Sequence, residues 1–265
     1  MNHIEERSLA YKQAMAETDL FDVALWWAPQ HRDSFAPFTD WGKQLEVWRE
    51  KGGKGGLVSS HTAAHTDPYQ GNAEIESLLR GQDDLYGCMV VTPDMFFKTG
   101  AGEDYLRRMK DQGMIAARMY PGAYRHSTQE YAIGKMLDAL EKENMPLLVW
   151  HIDTGWDAID RILTCHPGLN VVLESMDRKL LYHARDYIAL LQRHRNFYLD
   201  THNLVLFNEY ETLCELVGSG QLLYGSYFPY MNIDFSLYPV YAADIPEADR
   251  RAIFGGNARR LFGIG

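Results

Sequence analysis

Residues 146–153 read Pro-Leu-Leu-Val-Trp-His-Ile-Asp, a short apolar run that ends in two ionisable side chains. A continuous apolar run of this length, introduced by proline and preceded by a long helical pattern, is typical of a buried strand in a parallel sheet. Ligands of parallel α/β proteins gather at the carboxyl ends of the strands, where His151 and Asp153 would project to the same side. The stretch therefore predicts a central strand that ends at a binding or catalytic site.

The same alternation of helix and strand recurs along the whole chain. Besides the strand that ends at His151, the apolar runs predict strands over residues 20–27, 57–60, 86–92, 115–120, 170–175, 196–202 and 222–226. Helical patterns separate these runs, and the pattern over 128–144 places apolar side chains on one stripe. Eight such units in about 250 residues match a (β/α)8 TIM barrel. We therefore predict an α/β fold in which residues 1–265 form a single TIM-barrel domain.

Local signals set several expected helix ends. Asn72 is expected to cap a helix that reaches about Arg80, and Asn257 is expected to cap the last helix, which Gly263 ends. The cysteines, Cys88, Cys165 and Cys214, lie in apolar surroundings without Cys-x-x-Cys spacing. We expect buried free thiols rather than disulfides, zinc ligands or nucleophiles.

Composition excludes several classes of function. The chain has 26 basic and 36 acidic residues, and its net charge of −10 disfavours nucleic acid and anionic membrane surfaces as partners. No apolar run approaches the roughly 18 residues of a membrane-spanning helix, and the first residues lack a signal-peptide pattern. Dinucleotide, nucleotide and serine-hydrolase motifs are absent from the sequence. We expect a cytoplasmic protein that binds a small molecule, and the sequence is compatible with a homo-oligomer.

Three segments resemble the amidohydrolase-related family of barrels, which includes aminocarboxymuconate semialdehyde decarboxylase and related hydrolases and decarboxylases. The segment 253–263, Ile-Phe-Gly-Gly-Asn-Ala-Arg-Arg-Leu-Phe-Gly, is similar to that family's closing Gly-Asn-Ala-x-Arg-Leu-Phe segment. Residues 147–151 resemble the strand that carries a metal-ligating histidine, and residues 222–229 resemble its Gly-Ser-Asp-x-Pro strand. The resemblance covers the whole chain and implies an amidohydrolase-like TIM barrel that acts on a small anionic molecule.

The chain departs from the family at the metal ligands. The first strand of the family reads Asp-x-His-x-His, whereas this chain has Asp22-Val-Ala-Leu-Trp26 in that register. Ser175 stands in the place of the histidine on the sixth strand, and Tyr227 in the place of the aspartate on the eighth. A divalent ion needs three or four N, O or S donors. We therefore expect no cofactor and no metal among Ala24, Trp26, His151, Ser175 and Tyr227, with zinc as the lesser alternative.

His151 is the ligand position that remains, and it is the first candidate for a catalytic acid or base. Asp153 or Asp200 would orient its ring, although Asp153 could instead cap the following helix. Arg118 would hold an anion, or pair structurally with a neighbouring carboxylate. Asp200 and His202 share a spacing of two, so both could point into the mouth, or cap a loop and lie at the surface.

Further residues are candidates for contacting the substrate. The substrate-binding candidates are Trp26, Tyr120, Ser175, His202 and Tyr227. Aromatic side chains at or just past the strand ends predict an aromatic mouth, although about half of them are expected to pack under loops. Alternation along the strand predicts that Glu174 faces the helices and forms a salt bridge. His61 and His65 have the spacing of a helical metal pair, but the Asp-Pro that follows argues against a helix there.

These observations leave three functions open. The first is an amidohydrolase-related hydrolase, or a decarboxylase or lyase, with a degenerate metal site and His151 as acid or base. The second is a catalytically inactive pseudoenzyme that binds a small molecule or a partner. The third is a metal-dependent hydrolase with a relocated site at His151, Asp200 and His202. Turnover and its pH dependence, ligand-induced thermal stabilisation and metal content separate the three.

Overall fold

The fold is taken from a computed structural model, which describes residues 3–29, 38–176 and 178–264. The described residues form eight strands that hydrogen-bond in chain order as a parallel sheet. The strands are β1 Leu20–Trp27, β2 Gly53–Ser60, β3 Leu85–Val90, β4 Met114–Arg118, β5 Leu147–Trp150, β6 Val171–Glu174, β7 Phe197–Asp200 and β8 Leu222–Leu223. The predicted eight-unit α/β barrel is thereby confirmed.

Helices follow the strands and cover the outside of the sheet. They are α1 His3–Glu17, α2 Trp41–Glu50, α3 His61–His65, α4 Pro68–Leu79, α5 Ala101–Asp111, α6 Glu130–Lys142, α7 His151–Thr154, α8 Trp156–Cys165, α9 Ala184–Arg193, α10 Glu209–Val217, α11 Ile233–Ala242, α12 Glu247–Arg251 and α13 Asn257–Phe262. None of these described helices combines the length and the apolar character that crossing a membrane requires.

The seam between the first and last strands closes the barrel. The backbone N–H of Val23 donates to the carbonyl of Tyr224 at 2.9 Å. The buried carboxylate of Asp22 accepts hydrogen bonds from the backbone N–H of Ser226 and from its hydroxyl, and also from the indole N–H of Trp48 on α2. One carboxylate therefore ties β1, the segment after β8 and α2 together.

The interior of the barrel is filled by alternate residues of the strands. At its amino end lies an apolar cluster, which includes Phe21, Leu57, Ala116, Leu148 and Val172. The other strand face packs against the helices; on α6, the predicted stripe of Ile133, Met136, Leu137 and Leu140 is buried there. Because the amino end is packed with apolar side chains, any polar chemistry in the interior is confined to the carboxyl end.

Two predicted caps are wrong, and so is the predicted burial of Cys165 and Cys214, which are exposed and half-buried respectively. Asn72 lies inside α4, which Asp67 caps, and its amide bonds both backbone groups of Val90 at 2.8 Å. Asn257 begins α13 without a break from the preceding helical turns, and its amide donates to the carbonyls of Ser219 and Leu222. Of the three free thiols, Cys88 is buried but Cys165 is exposed. Asn72 joins its helix to β3 through both the donor and the acceptor of its amide, whereas Asn257 reaches the start of β8 through its two N–H donors.

Candidate active site

Four ionisable side chains lie together at the carboxyl ends of three strands. Arg118 ends β4, Glu174 ends β6, and Asp200 ends β7, with His202 two residues further on. At most 1% of the surface of each is exposed. The electrostatic influence of Asp200 and His202 reaches Glu174. The structure therefore brings together Arg118, Asp200 and His202, which were predicted to be site residues.

Arg118 is the positive charge of this cluster. Its Nη1 atom lies 3.0 Å from Oε1 of Glu174, and its guanidinium carbon lies 4.6 Å from the centre of the Trp26 ring. Burial alone would lower the pKa of Arg118, but the negative charge of Glu174 raises it above its ordinary value. Its Nε and Nη2 atoms are buried, and no described residue meets them in good hydrogen-bond geometry, although Tyr120 and Cys88 lie close enough to interact with the guanidinium. Buried donors of this kind commonly meet water or a ligand.

Glu174 faces the barrel interior, so the prediction that it faces the helices is wrong. It shares the face of Val172, which belongs to the interior cluster, whereas Leu173 packs toward the helices. The predicted strand includes Ser175, but β6 ends at Glu174, so the alternation of the strand no longer sets the direction of the next side chain. Burial raises the pKa of Glu174, and the charge of Arg118 opposes that rise.

His202 is held by a carboxylate and a hydroxyl. Its Nδ1 atom lies 2.7 Å from Oδ2 of Asp200 and 3.0 Å from Oγ of Ser175, and its backbone N–H donates to Asp200. Ser175 Oγ also accepts the backbone N–H of Asn203. The Nε2 atom of His202 is buried with no hydrogen-bond partner among the described residues. Donation from Nδ1 to Asp200 leaves Nε2 as a proton acceptor, the arrangement that a general base requires.

This arrangement differs from a serine-hydrolase triad. In such a triad the carboxylate and the serine contact opposite ring nitrogens of the histidine. Here Asp200 and Ser175 both contact Nδ1 of His202. Cys88, the buried thiol nearby, has its pKa raised to about 12 by burial and therefore stays protonated at neutral pH. The described interior thus offers an acid or base, but it activates neither of these two side chains as a nucleophile.

His151 is packed among aromatic rings. It begins the single helical turn α7 rather than ending β5, and only 3% of its surface is exposed. Its ring stacks on Trp156 at 4.9 Å and lies 5.1 Å from the ring of His183. The carboxylates expected to orient it have other partners: Asp153 accepts the backbone N–H of Gly122, and Asp200 pairs with His202. Burial raises the pKa of Asp153, and the Gly122 bond opposes that rise.

The catalytic role predicted for His151 can be tested with two substitutions. His151→Phe keeps a ring against Trp156, whereas His151→Ala removes it at an expected cost of about 2–3 kcal/mol in the free energy of unfolding. If His151 acts mainly through packing, the phenylalanine variant keeps both stability and turnover. Loss of turnover in a stably folded phenylalanine variant would instead establish His151 as an acid or base. Urea unfolding and the rate of substrate loss are the two measurements.

Aromatic side chains form the wall of the mouth. Trp26, Val90 and Tyr120 belong to a buried cluster against which Tyr227 and Tyr230 pack. The Tyr227 ring stacks on His202 with centroids 4.6 Å apart, and Tyr230 stacks on Tyr227 at 4.8 Å. Trp26 and Tyr120 are themselves enclosed. An aromatic cluster therefore covers the imidazole of His202, and the substrate contacts expected of its members stay predictions.

His61 and His65 lie on a helix after all. The short helix α3 begins directly after β2, and its N-cap Ser60 accepts the N–H of Ala63. The two imidazole rings lie 4.4 Å apart, and Nδ1 of His61 lies 2.7 Å from the hydroxyl of Tyr230. The Asp-Pro that follows starts α4 instead of preventing α3, because α3 ends before it. This pair thus contributes to the wall of the mouth.

Two open clefts lie beside the mouth. One, of about 330 Å³, is formed by the loops after β2, β3 and β4, and Tyr124 and His126 line part of it. The other, of about 570 Å³, lies between the starts of α6 and α8, where Trp156 forms part of the wall. Tyr124 belongs to the aromatic cluster of the mouth. The first cleft therefore borders the aromatic cluster of the mouth.

A relocated metal site at His151, Asp200 and His202 is not formed. Among the described residues, the group of three potential ligands whose donor atoms lie within 4.8 Å of one another is Asp138, Glu141 and His166. These residues belong to the end of α6 and the segment after α8, away from the mouth. His166 Nδ1 lies 3.4 Å from Asp138 and 3.6 Å from Glu141. A divalent ion could be held there by one imidazole and two carboxylates.

Similarity to known proteins agrees with this architecture. A family model described as amidohydrolase matches residues 58–264. A comparison with curated proteins found no match. A dihydroxybenzoic acid decarboxylase from Polaromonas sp. JS666, solved with manganese and 2-nitroresorcinol, superposes with a TM-score of 0.70 at 15% identity, covering 93% of this chain and 97% of that one.

Two further solved structures have similar folds. The 5-carboxyvanillate decarboxylase of Sphingomonas paucimobilis has a TM-score of 0.70 at 13% identity, with 93% of this chain and 99% of that chain covered. The 4-oxalomesaconate hydratase of Rhodopseudomonas palustris has a TM-score of 0.68 at 13% identity, with 92% and 96% covered. At these identities the superpositions show the shared fold, and the family match covers most of the sequence. The chain belongs to the amidohydrolase family.

Proposed function

We propose that the protein is an enzyme that moves a proton at a small anionic organic molecule, with His202 as the acid or base. The observation that carries this proposal is the buried imidazole of His202, whose Nδ1 lies 2.7 Å from Asp200 while Nε2 has no partner among the described residues. A histidine oriented in this way exchanges a proton through one defined nitrogen. Arg118 supplies the positive charge that an anionic substrate needs.

Decarboxylation fits these groups better than attack by a protein nucleophile. Loss of carbon dioxide from an organic acid leaves a carbon that must accept a proton, and protonated His202 can supply it. Ser175 and Cys88 are poorly placed as nucleophiles, since the hydroxyl contacts the same nitrogen as Asp200 and the thiol stays protonated. Two fold relatives are decarboxylases of aromatic acids, which supports the same choice. Hydrolysis by a water activated at Nε2 is the corresponding reaction with His202 as base.

The enclosure of the site supports a second candidate, a protein that binds its ligand without turnover. His202 and Arg118 are almost completely covered, and the Tyr227 ring lies flat against the imidazole. A substrate that reaches Nε2 must therefore move side chains that enclose the site. A binding protein would show thermal stabilisation by aromatic carboxylates but no loss of the acid over time.

The acid or base role of His202 predicts a large loss of turnover when the imidazole is replaced. His202→Gln is expected to lower the rate by about 10²–10⁴-fold, the usual contribution of a general acid or base. The assay follows loss of acid and release of carbon dioxide from 2,6-dihydroxybenzoate and 5-carboxyvanillate. Asp200→Asn is also expected to lower the rate, because the amide can stabilise the wrong ring tautomer.

His194→Gln provides a matched control for this test. Nε2 of His194 lies 2.7 Å from Asp160, so that pair has the same hydrogen-bond length but lies between α8 and β7, outside the barrel interior. The control variant should keep wild-type turnover. Equal losses in His194→Gln and His202→Gln would contradict the assignment, and wild-type binding of these acids without turnover would favour the binding protein.

A further inference from the structure

The residues at the metal positions of the family do not form a metal site in this chain. Ala24 has no donor atom, and the ring of Trp26 lies against the guanidinium of Arg118. Ser175 Oγ is engaged by the imidazole of His202 and a backbone N–H. A bound divalent ion needs three or four donors, which these side chains do not supply.

We propose that the guanidinium of Arg118 takes the place of the metal ion as the fixed positive charge of the mouth. This inference rests on the function proposed above. Trp26 occupies the position of a ligand on β1, and the guanidinium lies 4.6 Å from the centre of its ring. Glu174 supplies a negative partner from β6 at 3.0 Å. The guanidinium of Arg118 therefore lies beside Trp26, which stands at the position of the β1 metal ligand in the family.

A guanidinium and a divalent ion exclude each other at this place. Both are positive, and two like charges a few ångström apart in a buried site repel strongly. The buried positive charge of Arg118 requires a carboxylate partner, and Glu174 is that partner. The aromatic face of Trp26 adds a cation–π contact, which a metal-ligating histidine in its position would not. The loss of donors at the metal positions and the presence of Arg118 are thus consistent with each other, because the guanidinium and a divalent ion cannot occupy the same place.

The donors of Arg118 identify the class of ligand. Nε and Nη2 are buried and no described residue meets them in good hydrogen-bond geometry, while Tyr120 and Cys88 interact with the guanidinium more loosely. A guanidinium presents its donors in a planar fork that matches the two oxygens of a carboxylate. The ligand that fits is therefore a small planar carboxylate, bound through the guanidinium with no metal between them.

Binding of 2,6-dihydroxybenzoate to the wild-type protein provides the first test. Isothermal titration is performed after dialysis against EDTA and again with added manganese chloride. We expect the dissociation constants measured after EDTA treatment and with added manganese to differ by less than about twofold. Loss of a hydrogen-bonding group would change the constant by about tenfold. Binding that EDTA abolishes and manganese restores would overturn the metal replacement while leaving the proposed function intact. Absence of binding in both conditions would overturn both, so the two failures are distinguishable.

Substitutions at Arg118 provide the second test. Arg118→Met is expected to weaken binding by at least about tenfold, with a smaller loss for Arg118→Lys, which keeps the charge but not the planar fork. The matched control is Arg259→Met at the amino end of the barrel, where Arg259 pairs with Asp19 at 2.7 Å and lies over the Phe21 ring at 5.5 Å. Wild-type affinity in Arg118→Met would overturn the proposal. If that variant does not fold, the EDTA titration of the wild-type protein still decides.

Metal content gives a readout that is independent of ligand binding. It is measured on His166→Asn after equilibration with manganese and gel filtration, so that the distant Asp138 and Glu141 group does not contribute. We expect well under one equivalent of metal per chain. One equivalent in His166→Asn that is lost in the double variant His166→Asn/His151→Ala would place a metal at the mouth and overturn the proposal.

Discussion

Asp22→Ala is expected to lower the free energy of unfolding by about 4 kcal/mol, since several buried donors lose their acceptor at about 1–3 kcal/mol each. The carboxylate accepts from the indole of Trp48, from the backbone N–H of Ala24, and from both the backbone and the hydroxyl of Ser226. Burial raises the pKa of Asp22, while these hydrogen bonds lower it and offset part of the cost of burying the charge. The variant should also weaken the seam that closes the barrel.

Urea unfolding at neutral pH measures this loss, and Asp40→Ala is the matched control. Asp40 is the exposed N-cap of α2, and its side chain accepts the N–H of Lys43 at 2.9 Å. Loss of such a cap costs about 1 kcal/mol. Asp22→Asn keeps an acceptor and should fall between the two. If Asp22→Ala is no less stable than Asp40→Ala, the seam is held by the backbone and the apolar core alone.

Arg118→Met is expected to lower the free energy of unfolding by about 3–5 kcal/mol at pH 8, because removing one partner leaves the other charge buried. The pKa of Glu174 is already raised by burial, and Arg118 holds that rise in check. Without Arg118 the folded-state pKa of Glu174 rises further above its unfolded value. At a pH between the unfolded and the folded pKa of Glu174, this carboxyl is protonated only in the folded protein, so folding takes up a proton. The free energy of unfolding therefore falls as pH increases through this range, and the range is wider in the variant than in the wild-type protein.

The difference between the wild-type protein and Arg118→Met should therefore be smallest near pH 5 and grow toward pH 8. A second substitution, Glu174→Leu, should restore most of the lost stability, because a buried ion pair can be replaced by apolar side chains at little cost. Urea unfolding of the single and double variants between pH 5 and pH 8 checks both statements. A cost that is independent of pH, and that Glu174→Leu does not relieve, would mean that Arg118 stabilises the fold by packing on Trp26 instead.

The strands were predictable because burial leaves a local mark on the sequence. A parallel strand covered on both faces reads as an uninterrupted apolar run, as β5 does, and such runs recurred between helical patterns. Arg118, Asp200 and His202 could also be named, since they stand at or just past the ends of these runs. The carboxyl end of a parallel barrel is where such side chains meet.

The pairings among those residues could not be predicted. Glu174 was assigned to the wrong face because one residue of error at the end of β6 inverts the alternation. His202 was considered a contact residue and His151 the acid or base, yet the structure pairs Asp200 with His202. A signal was available: the Asp-x-His spacing after β7 allows a hydrogen bond between side chains two residues apart. Asp22 gave no such signal for its contacts with Trp48 and Ser226, because both residues are distant from it in sequence.

The sequence by itself determined the eight-unit barrel and the position of Arg118, Asp200 and His202 at or just past strand ends, since both depend on residue type and short-range spacing. Tertiary structure alone decided that Arg118 meets Glu174 and Trp26, that Asp200 orients His202, and that His151 packs on Trp156. The reason is geometric. Within a strand, the spacing of residues determines the side of the sheet on which each side chain lies. Closure of the sheet into a barrel determines which strand ends lie close together, and therefore which charged side chains form pairs.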